Sequence, residues 1–385
     1  LHERRTMNIL FVHQNFPGQF LHLAVALGSS PKNRVLALHV MPAPKLPGVE
    51  LVPYAVTRRN SHKVHPWLAD LETKVIRGEA AYRAAKSLRQ TGFYPDVIIA
   101  HPGWGESLFL LDVWPAACFG MYCEYYYRAE GGDIGFDPEF TSADEDAQSR
   151  LRLRNAFYDL QQGSVSAGIA PTQWQRSTFP EPLRSKISVL HEGIDTTLVH
   201  PNDGAKSSFR TSDGRQFNLD SQSEVITFVN RNLEPYRGYH TFMRALPAIM
   251  RARPDARIMI VGGDGVSYGP SPGQLAAWQG KGKTWKEVFL NEVRAELDMS
   301  RVHFLGWLPF KVHLALLQLS TVHVYLTYPF VLSWSLLEAM SLERAIVASN
   351  TPPVREVIDD GVQGRLVDFF DAAALAAQVA DLLGD

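Results

Sequence analysis

The sequence predicts an α/β protein built from two lobes, each with a parallel sheet. The 385 residues exceed an ordinary single domain and suit two domains of roughly 150 to 200 residues. Apolar strand-like runs alternate with amphipathic helical stretches, which is typical of a parallel sheet covered by helices. A polar stretch interrupts this alternation near the middle of the chain, and we interpret it as the boundary between the lobes.

The first lobe is predicted over residues 7–201. Its strand-like runs are Asn8–His13, Arg34–His39, Val97–Ala100, Ala167–Ala170 and Lys186–Leu190. The loop NFPGQF follows the first run, and its Gly18 would let a ligand approach the backbone. No GxGxxG motif follows this strand, which argues against a standard dinucleotide site.

The second lobe is predicted over residues 225–385, after a linker at 202–224 that is rich in Ser, Asp and Gly. Its strand-like runs are Val225–Val229, Arg257–Val261, Val302–Leu305, Val322–Leu326 and Ala345–Ala348. In open α/β sheets, ligands bind at the carboxyl ends of the strands. We therefore expect the two lobes to face each other across a ligand-binding cleft.

Composition excludes several classes of protein. Hydrophobic residues make up 45% of the chain, charged residues 20%, and the net charge is -2, which argues against nucleic-acid binding. No apolar run approaches the ~20 residues of a membrane-spanning helix, and the first residues do not resemble a signal peptide. Cys118 and Cys123 lie an odd number of positions apart in a strand-like run, so we expect buried free thiols in a reducing, cytoplasmic compartment.

The segment Tyr328–Val347 is the most informative part of the chain. Leu336, Leu337, Met340 and Leu342 recur near the helical period, and Ser333 or Ser335 could cap a helix that begins near Ser335. The free amides and the dipole of such a helix favour anionic or hydroxyl-rich ligands. Glu338, one turn further, could accept hydrogen bonds from two neighbouring hydroxyls. The alternative is a solvated glutamate that compensates the helix dipole.

Two arginines follow the first strand of the second lobe. The segment VNRNLEPYRG places Arg231 at the strand end and Arg237 in the next turn. Two guanidinium groups at this position could neutralise a diphosphate with paired hydrogen bonds. Alternatively, either arginine is an ordinary surface cation. VGGDG at residues 261–265 is interpreted as a structural glycine turn.

Taken in order, these segments resemble the family 4 (group 1) retaining glycosyltransferases, which have the GT-B fold of two Rossmann-like domains. The matching segments are FVHQNFPGQF, IIAHPGWGE, IAPTQWQRSTFP, VLHEGIDTTLVHP, VNRNLEPYRG, IVGGDG, HFLGWLPF and SLLEAMSLERAIVASNTPPVREVIDDGVQGRLVD. They extend over nearly the whole chain. The resemblance therefore implies a transferase that uses a nucleotide-diphosphate sugar.

The resemblance also implies roles for individual residues. Glu338 is similar to the second glutamate of the family's paired-glutamate motif, which holds the ribose of the donor. Arg231 and Arg237 match the basic pair at the diphosphate, with arginine at 237 where lysine is usual. Gly18 matches a loop glycine near donor phosphate and acceptor. His101 matches a first-lobe histidine beside the transferred sugar; it could instead act as a general base, or simply be a structural histidine at a strand end.

One position departs from the family pattern. Phe330 stands where the first glutamate of the motif is expected, and Val331, Leu332 and Ser333 replace a glycine-rich turn. A phenylalanine cannot accept a hydrogen bond from a sugar hydroxyl. Three explanations are open: the backbone amides of Val331, Leu332 and Ser333 hold the sugar, the donor is unusual, or activity has been lost.

The expected chemistry needs no metal and no cofactor beyond the donor. Arginines and helix-terminal amides would stabilise the charge that develops on the leaving diphosphate. The acceptor hydroxyl would attack from the front face, with the anomeric configuration retained. We expect a UDP- or GDP-sugar donor and a role in polysaccharide biosynthesis.

The acceptor is expected to be a glycan, a lipid-linked acceptor or a small molecule. Glu124 and Tyr126 begin a segment of aromatic and acidic residues that suits sugar binding, although core packing explains its tyrosines equally well. The basic segment 57–67 is typical of a solvated basic loop; the alternative is peripheral contact with anionic lipid on the inner membrane face.

Two rival functions share the fold. A catalytically degenerate nucleotide-sugar-binding partner subunit is suggested by Phe330. A sugar-nucleotide epimerase or hydrolase would need acid and base side chains around the sugar, and none is found in a matching context. Family members usually end with a helix that returns to the first lobe, so we expect the natural chain to continue beyond residue 385.

Overall fold

The computed structural model describes residues 6–141, 146–211 and 213–384. Contacts between Cα atoms divide these residues into two compact units. The first comprises 6–129 with 146–193, and the second comprises 130–141 with 194–211 and 213–384. Each unit contains one parallel sheet covered by helices, which confirms the predicted fold class of two Rossmann-like domains.

The first unit has a seven-stranded parallel sheet with the order β3-β2-β1-β4-β5-β6-β7. The strands are β1 Met7–Val12, β2 Asn33–His39, β3 Val49–Pro53, β4 Val97–Ala100, β5 Cys118–Tyr122, β6 Ala167–Ala170 and β7 Ile187–Val189. The helices are α1 Leu21–Gly28, α2 Ala69–Gln90, α3 Leu110–Val113, α4 Ala147–Asp159 and α5 Gln173–Thr178. The predicted strands are all present, whereas the partly exposed edge strand β3 was not predicted.

Both faces of this sheet are buried at its central strand, which explains why the second half of β1 is a continuous apolar run. Ile9 and Phe11 of β1 belong to one hydrophobic cluster, and Leu10 and Val12 belong to a second cluster. Successive strand residues point to opposite faces. The central strand therefore contributes to two cores at once.

The second unit has a six-stranded parallel sheet with the order β12-β11-β10-β13-β14-β15. Its strands are β10 Val225–Asn232, β11 Arg257–Gly263, β12 Val302–Gly306, β13 Val322–Tyr325, β14 Ala345–Ser349 and β15 Arg365–Val367. Its helices are α6 Tyr239–Ala252, α7 Trp285–Val293, α8 Phe310–Gln318, α9 Trp334–Ser341 and α10 Ala372–Leu382. The five predicted strands are present, and the edge strand β15 was not predicted.

The stretch expected to be a linker, 202–224, carries an antiparallel hairpin. Its strands are β8 Lys206–Arg210 and β9 Gln216–Asp220. Phe209 and Leu219 are buried in a hydrophobic cluster of the second unit. Phe217 of β9 also packs against this cluster, so apolar side chains on both short strands attach the polar hairpin to the second unit.

Residues 130–141 pack on the second unit, although their neighbours in sequence belong to the first. Asp133 accepts a hydrogen bond from the Tyr236 hydroxyl at 2.7 Å, and Asp137 accepts one from the Tyr328 hydroxyl at 3.0 Å. The rings of Phe136 and Phe140 also contact aromatic side chains of this unit. We refer to residues 130–141 as the acidic segment.

The two cysteines are free, as expected, but only one of them is buried. Cys123 is buried, whereas Cys118 at the start of β5 is exposed, so the expectation of two buried thiols was wrong. Cys118 is the first residue of the strand, and its side chain is exposed there. Within the described residues, no helix is both long and apolar enough to cross a membrane.

Candidate functional site

A cavity of about 260 Å³ lies at the carboxyl ends of β10 and β11 in the second unit. Its polar lining residues are Asn230, Arg231, His313, Ser333, Ser335 and Glu338. Its apolar lining residues are Val229, Val261, Trp307, Leu308 and Trp334. The carboxyl edge of a parallel sheet is where α/β proteins bind ligands, and this cavity contains three of the residues predicted from the sequence.

Glu338 lies one turn into α9. The helix begins at Trp334, and the Ser333 side chain caps it by accepting from the amide of Ser335. This start is one residue before the predicted one. Glu338 is only 7% exposed, and its Oε2 lies 2.8 Å from Nε2 of His313 on α8. The carboxylate therefore has a fixed orientation in the wall of the cavity.

Arg231 is the cation that faces this cavity. It lies near the end of β10, is exposed, and lines the cavity. No residue in the described part of the chain forms a hydrogen bond or ion pair with its guanidinium. Its five N–H donors are therefore available to an anionic ligand.

Arg237 has a different environment from the one the sequence suggested. It lies in a 3₁₀ turn, is 6% exposed, and does not line the cavity. Its Nη1 donates to the Thr327 hydroxyl at 2.8 Å, to the Val331 carbonyl at 2.8 Å and to the Tyr325 hydroxyl at 3.3 Å. In this conformation Arg237 holds the loop that precedes α9 through its Nη1 group.

Phe330 closes over Arg237. Its ring is 4% exposed, and the guanidinium carbon of Arg237 lies 5.8 Å from the ring centroid. The rings of Tyr268 and Tyr236 lie 4.8 Å and 5.8 Å from it. Phe330 is thus part of an aromatic cluster, and a cation–π contact with the buried arginine replaces the carboxylate contact that a glutamate would make.

The backbone amides of residues 331–333 are only partly free. The Ser333 amide donates to the Tyr325 hydroxyl at 2.8 Å. Val331 contributes its carbonyl to Arg237, and Leu332 is buried in a hydrophobic cluster. Of the predicted loop residues, only Ser333 lines the cavity.

A second group of predicted residues meets in the first unit, where β1, β4 and β5 end. His13 Nδ1 accepts from the Asn15 amide at 3.0 Å, so its Nε2 carries the proton and donates to Gln19 Oε1 at 2.8 Å. The Gln19 amide donates to Glu124 Oε1 at 2.9 Å. Nε2 of His101 lies 3.4 Å from the other oxygen of Glu124, without a well-aligned hydrogen bond.

His101 is buried between aromatic rings. It stacks on Trp104 with ring centroids 4.4 Å apart and on Tyr122 at 5.4 Å. Its Nδ1 accepts from the Gly103 amide at 3.1 Å, so the proton of the neutral ring is on Nε2 and points to Glu124. In this tautomer neither nitrogen has a free lone pair, which disfavours a role as general base.

The protonation states in this network follow from burial and from neighbouring charge. Burial, together with His101 nearby, lowers the pKa of His13 to about 4. Burial acts to raise the pKa of Glu124, but His101 and the Gln19 amide outweigh it, and the pKa is lowered. Near neutral pH the network therefore combines a neutral His13 with a charged Glu124.

Gly18 is required by this network for a steric reason. Its φ of +48° is in the left-handed region, and a Cβ at this position would lie 2.4 Å from the His13 ring. A glycine permits both the conformation and the close contact. The position of Gly18 therefore allows the loop NFPGQF to close on His13.

Tyr126 does not join the network. Its hydroxyl donates to Asp159 Oδ1 at 3.0 Å, and its ring packs near Phe179. Burial, with Asp159 as the second cause, raises the pKa of Tyr126 to about 12. These contacts agree with the packing alternative for this residue, whereas Glu124 lies among the other predicted residues.

The structure also identifies residues that the sequence reasoning missed. His313 in the second unit and His13 and Gln19 in the first make direct hydrogen bonds to predicted site residues. His13 and Gln19 belong to the motif FVHQNFPGQF, and their polarity at a strand end was a usable signal. His313 had no such signal, because only the tertiary packing of α8 against α9 brings it to Glu338.

The described residues include one group with metal-like spacing, formed by Asp137, Glu139 and His240. Its donor atoms already have partners. Asp137 Oδ2 takes the Tyr328 hydroxyl and lies 3.1 Å from His240 Nε2, and Glu139 binds Arg244 through both oxygens at 2.7 and 2.8 Å. A guanidinium beside the group neutralises the charge that would attract a cation, so this group does not fit a metal site.

The basic segment 57–67 is on the surface of the first unit. Arg58 pairs with Glu79 on α2 at 3.0 Å and is 71% exposed, and Arg59 is exposed. The ring of Trp67 packs against His65. The segment fits either a solvated loop or a surface that contacts anionic lipid, and membrane contact stays a prediction.

Comparison with known proteins identifies both halves of the chain. Residues 31–199 match the family model described as glycosyl transferase family 4 group, and residues 209–385 match the one described as glycosyl transferases group 1. Together the two models cover most of the sequence.

One relative is the D-inositol 3-phosphate glycosyltransferase of Mycolicibacterium vanbaalenii, 27% identical over 200 residues, which are 52% of this chain and 41% of the relative. The match thus spans less than half of that relative. Sucrose-phosphate synthase from Thermosynechococcus elongatus has a similar structure, with a TM-score of 0.66 at 15% identity, covering 98% of this chain and 90% of that chain.

Anabaena HepE, solved in complex with UDP and glucose, gives a TM-score of 0.58 at 17% identity and covers 98% of this chain and 93% of that one. These structures share the fold. The order of strands, the two parallel sheets and the two matched family models lead to one conclusion. The chain belongs to the family 4 (group 1) glycosyltransferases of the GT-B fold.

Proposed function

We propose that this protein transfers a sugar from a nucleotide-diphosphate sugar, a UDP- or GDP-sugar, to a hydroxyl of a glycan, a lipid or a small molecule. The observation that carries the proposal is the cavity in the second unit. There, an arginine without a described partner, a buried carboxylate and the first turn of α9 meet at the carboxyl edge of a parallel sheet. This combination suits a ligand that carries both phosphate and hydroxyl groups.

Arg231 would take the diphosphate. Breaking the bond between sugar and diphosphate builds negative charge on the leaving oxygen, and a guanidinium already in place stabilises that charge. Glu338 would accept a ribose hydroxyl. Arg237 would act indirectly, by holding the Val331 carbonyl and so the loop before α9.

In the first unit, the pair formed by His101 and Glu124 would orient a substrate hydroxyl. Because the proton of neutral His101 is on Nε2, His101 would donate a hydrogen bond rather than remove a proton. We propose attack by the acceptor hydroxyl from the front face, with retained anomeric configuration and with the leaving phosphate taking the proton. This route needs neither a protein nucleophile nor a metal.

The comparisons support the substrate class but do not fix it. HepE was solved with UDP and glucose, and the curated relative is named for transfer to inositol 3-phosphate. We therefore propose a nucleoside diphosphate sugar as donor. A hydroxylated acceptor that carries a phosphate is the first acceptor to test.

A binding experiment tests the donor site. UDP, GDP, ADP, TDP and their sugars would be added to the wild-type protein, and the melting temperature followed. We expect one nucleotide class to raise it, because a ligand that binds only the folded state stabilises that state. Arg231→Ala should lower the affinity for this nucleotide by about tenfold or more, since a charge-assisted hydrogen bond contributes about 1.5–3 kcal/mol.

Arg251→Ala is the matched control. Arg251 lies on α6, is 67% exposed and pairs with Glu296, so its replacement should leave nucleotide affinity unchanged. Equal effects of both variants would contradict a specific role for Arg231.

Sugar transfer from the donor that binds would then be measured, and the anomeric configuration of the product determined by NMR, with and without EDTA. An inverted configuration, or loss of activity in EDTA, would contradict the proposed mechanism.

A donor-binding partner subunit without transferase activity is the second candidate. The observation that favours it is the burial of Arg237, a predicted donor contact, against Phe330, which cannot accept a hydrogen bond from the sugar. Nucleotide-sugar binding without transfer to any acceptor would support this candidate. Detection of a transferred sugar would exclude it.

A further inference from the structure

We propose that His313 is a positioning residue for the donor: it orients the Glu338 carboxylate so that one oxygen faces the cavity and receives a ribose hydroxyl. This inference rests on the proposed donor site. It adds a residue to that site which none of the sequence motifs contains, and it gives a reason for the ribose selectivity that the site should show.

The geometry brings together two helices. His313 is the fourth residue of α8 and Glu338 the fifth of α9, and their side chains are 14% and 9% exposed. Nε2 of His313 is 2.8 Å from Oε2 of Glu338, a normal length for a hydrogen bond to a carboxylate. Both side chains line the cavity that contains Arg231.

The hydrogen bond occupies one side of the carboxylate. No other described residue donates to Glu338, so Oε1 is left as the acceptor for a ligand. Without His313 the carboxylate could rotate, and the geometry offered to a hydroxyl would be lost. A carboxylate that is already held in one orientation loses less conformational entropy when a ligand binds than a mobile one does.

The imidazole also balances charge. A poorly solvated carboxylate in the same cavity as a diphosphate would repel it, and this repulsion is strong where water is excluded. The N–H of His313 offsets part of the negative charge on Glu338, and Arg231 offsets the charge of the phosphates. The pair thereby allows a carboxylate and an anionic ligand to share a small cavity.

Packing alone does not require a histidine at position 313. One turn further along α8, Leu316 and Leu317 are fully buried, and they share the face of His313 by helical spacing. An apolar residue at 313 would complete the same face. The polar side chain is therefore explained by its contact with Glu338 rather than by the core.

The test compares ribonucleotides with their deoxy forms. UDP, GDP and ADP and their 2′- and 3′-deoxy counterparts would be titrated by calorimetry into wild type, His313→Leu, His313→Gln and Glu338→Gln. We expect wild type to prefer at least one ribonucleotide over a deoxy form. In His313→Leu, the affinity for this ribonucleotide should fall about tenfold, because an oriented charge-assisted hydrogen bond is lost. The ratio of ribonucleotide affinity to deoxynucleotide affinity should approach one.

His313→Gln should retain most of the preference, since its side-chain amide can donate to the same oxygen. Should His313→Leu fail to fold, His313→Asn replaces it, because the shorter amide cannot reach Glu338 and the same loss is expected. Unchanged affinity and preference in these variants, with a loss only in Glu338→Gln, would overturn the role of His313 alone. Absence of nucleotide binding by the wild-type protein would overturn both this inference and the proposed function.

Discussion

At the scale of single residues, burial decides which predicted groups can meet a ligand. Arg231 and Arg237 were equivalent candidates in the sequence. The structure leaves Arg231 exposed at a strand end, whereas Arg237 is buried and donates to Tyr325, Thr327 and Val331. A buried guanidinium must satisfy its donors within the protein. Arg237 therefore holds the loop before α9 through Nη1, whereas the Arg231 guanidinium has no partner among the described residues.

Phe330 is explained by the same environment. A glutamate at this position would place a carboxylate among the rings of Tyr236 and Tyr268. The aromatic ring instead packs on Tyr268 and Arg237. The departure from the family motif is thus accommodated locally by packing.

Gly18 provides a test at this scale. Gly18→Ala combines a left-handed backbone with a Cβ placed 2.4 Å from the His13 ring, and we expect a loss of about 1–3 kcal/mol in the free energy of unfolding. The measurement is urea denaturation. Gly92→Ala is the matched control, since Gly92 also has a positive φ, of +86°, but nothing lies within 4 Å of the position that a Cβ would take there.

The control should cost only about 1 kcal/mol. The difference between the two variants measures the contact with His13 and not the backbone strain. Identical losses in Gly18→Ala and Gly92→Ala would show that His13 moves aside freely. In that case the network from His13 to Glu124 would not be rigid.

At the scale of elements, the acidic segment 130–141 shows how a few side chains assign a loop to one unit. Asp137 is 2% exposed and is contacted by Tyr328 and His240. Burial and Asp137 raise the pKa of Tyr328 well above its ordinary value, so the phenol stays protonated and donates. Tyr328 lies two residues before Phe330, which connects this segment to the loop before α9.

We expect Asp137→Ala to lower the free energy of unfolding by roughly 1–3 kcal/mol, because the buried Tyr328 hydroxyl and His240 ring lose their acceptor. Glu139→Ala is the matched control within the same segment. Its carboxylate is 33% exposed and pairs with Arg244, and exposed ion pairs contribute about 1 kcal/mol or less. Hydrogen exchange should show faster exchange of residues 130–141 in Asp137→Ala only; equal exchange in both variants would contradict this account.

At the scale of the whole molecule, buried neutral histidines make stability depend on pH in both units. Burial lowers the pKa of His13 in the first unit to about 4. In the second unit, burial lowers the pKa of His303 to about 4 and that of His323 to about 3. The folded protein binds these protons less readily than the unfolded chain, whose histidines titrate near 6.5.

Stability is therefore complete above about pH 6.5 and is lost as the pH falls towards 4, by about 1.4 kcal/mol per pH unit for each histidine that titrates. Urea denaturation at several pH values measures this slope. His303→Phe should reduce the slope of unfolding free energy against pH by the contribution of one proton. It should leave stability at pH 8 nearly unchanged, because His303 stacks on Phe217 at 4.3 Å and neither of its ring nitrogens has a partner among the described residues. An unchanged slope in this variant would show that His303 does not titrate in this range.

Much of the fold could be read from the sequence, because the information was local. Strands buried on both faces are continuous apolar runs, and β1, β10 and β11 were placed within a few residues of their observed bounds. The edge strands β3 and β15 are short and partly exposed, and the hairpin β8–β9 is polar. Their stability comes from pairing with a neighbour, which no local pattern reveals.

The candidate site divides in the same way. The sequence by itself determined the residue types at the strand ends and at the start of α9, because caps, glycines and charged groups act through short-range chemistry. Only the tertiary structure decided that Arg231 is exposed and Arg237 buried, that His313 meets Glu338, and that residues 130–141 pack on the second unit. These outcomes depend on contacts between residues 25 or more positions apart, and such contacts are set by the packing of whole elements.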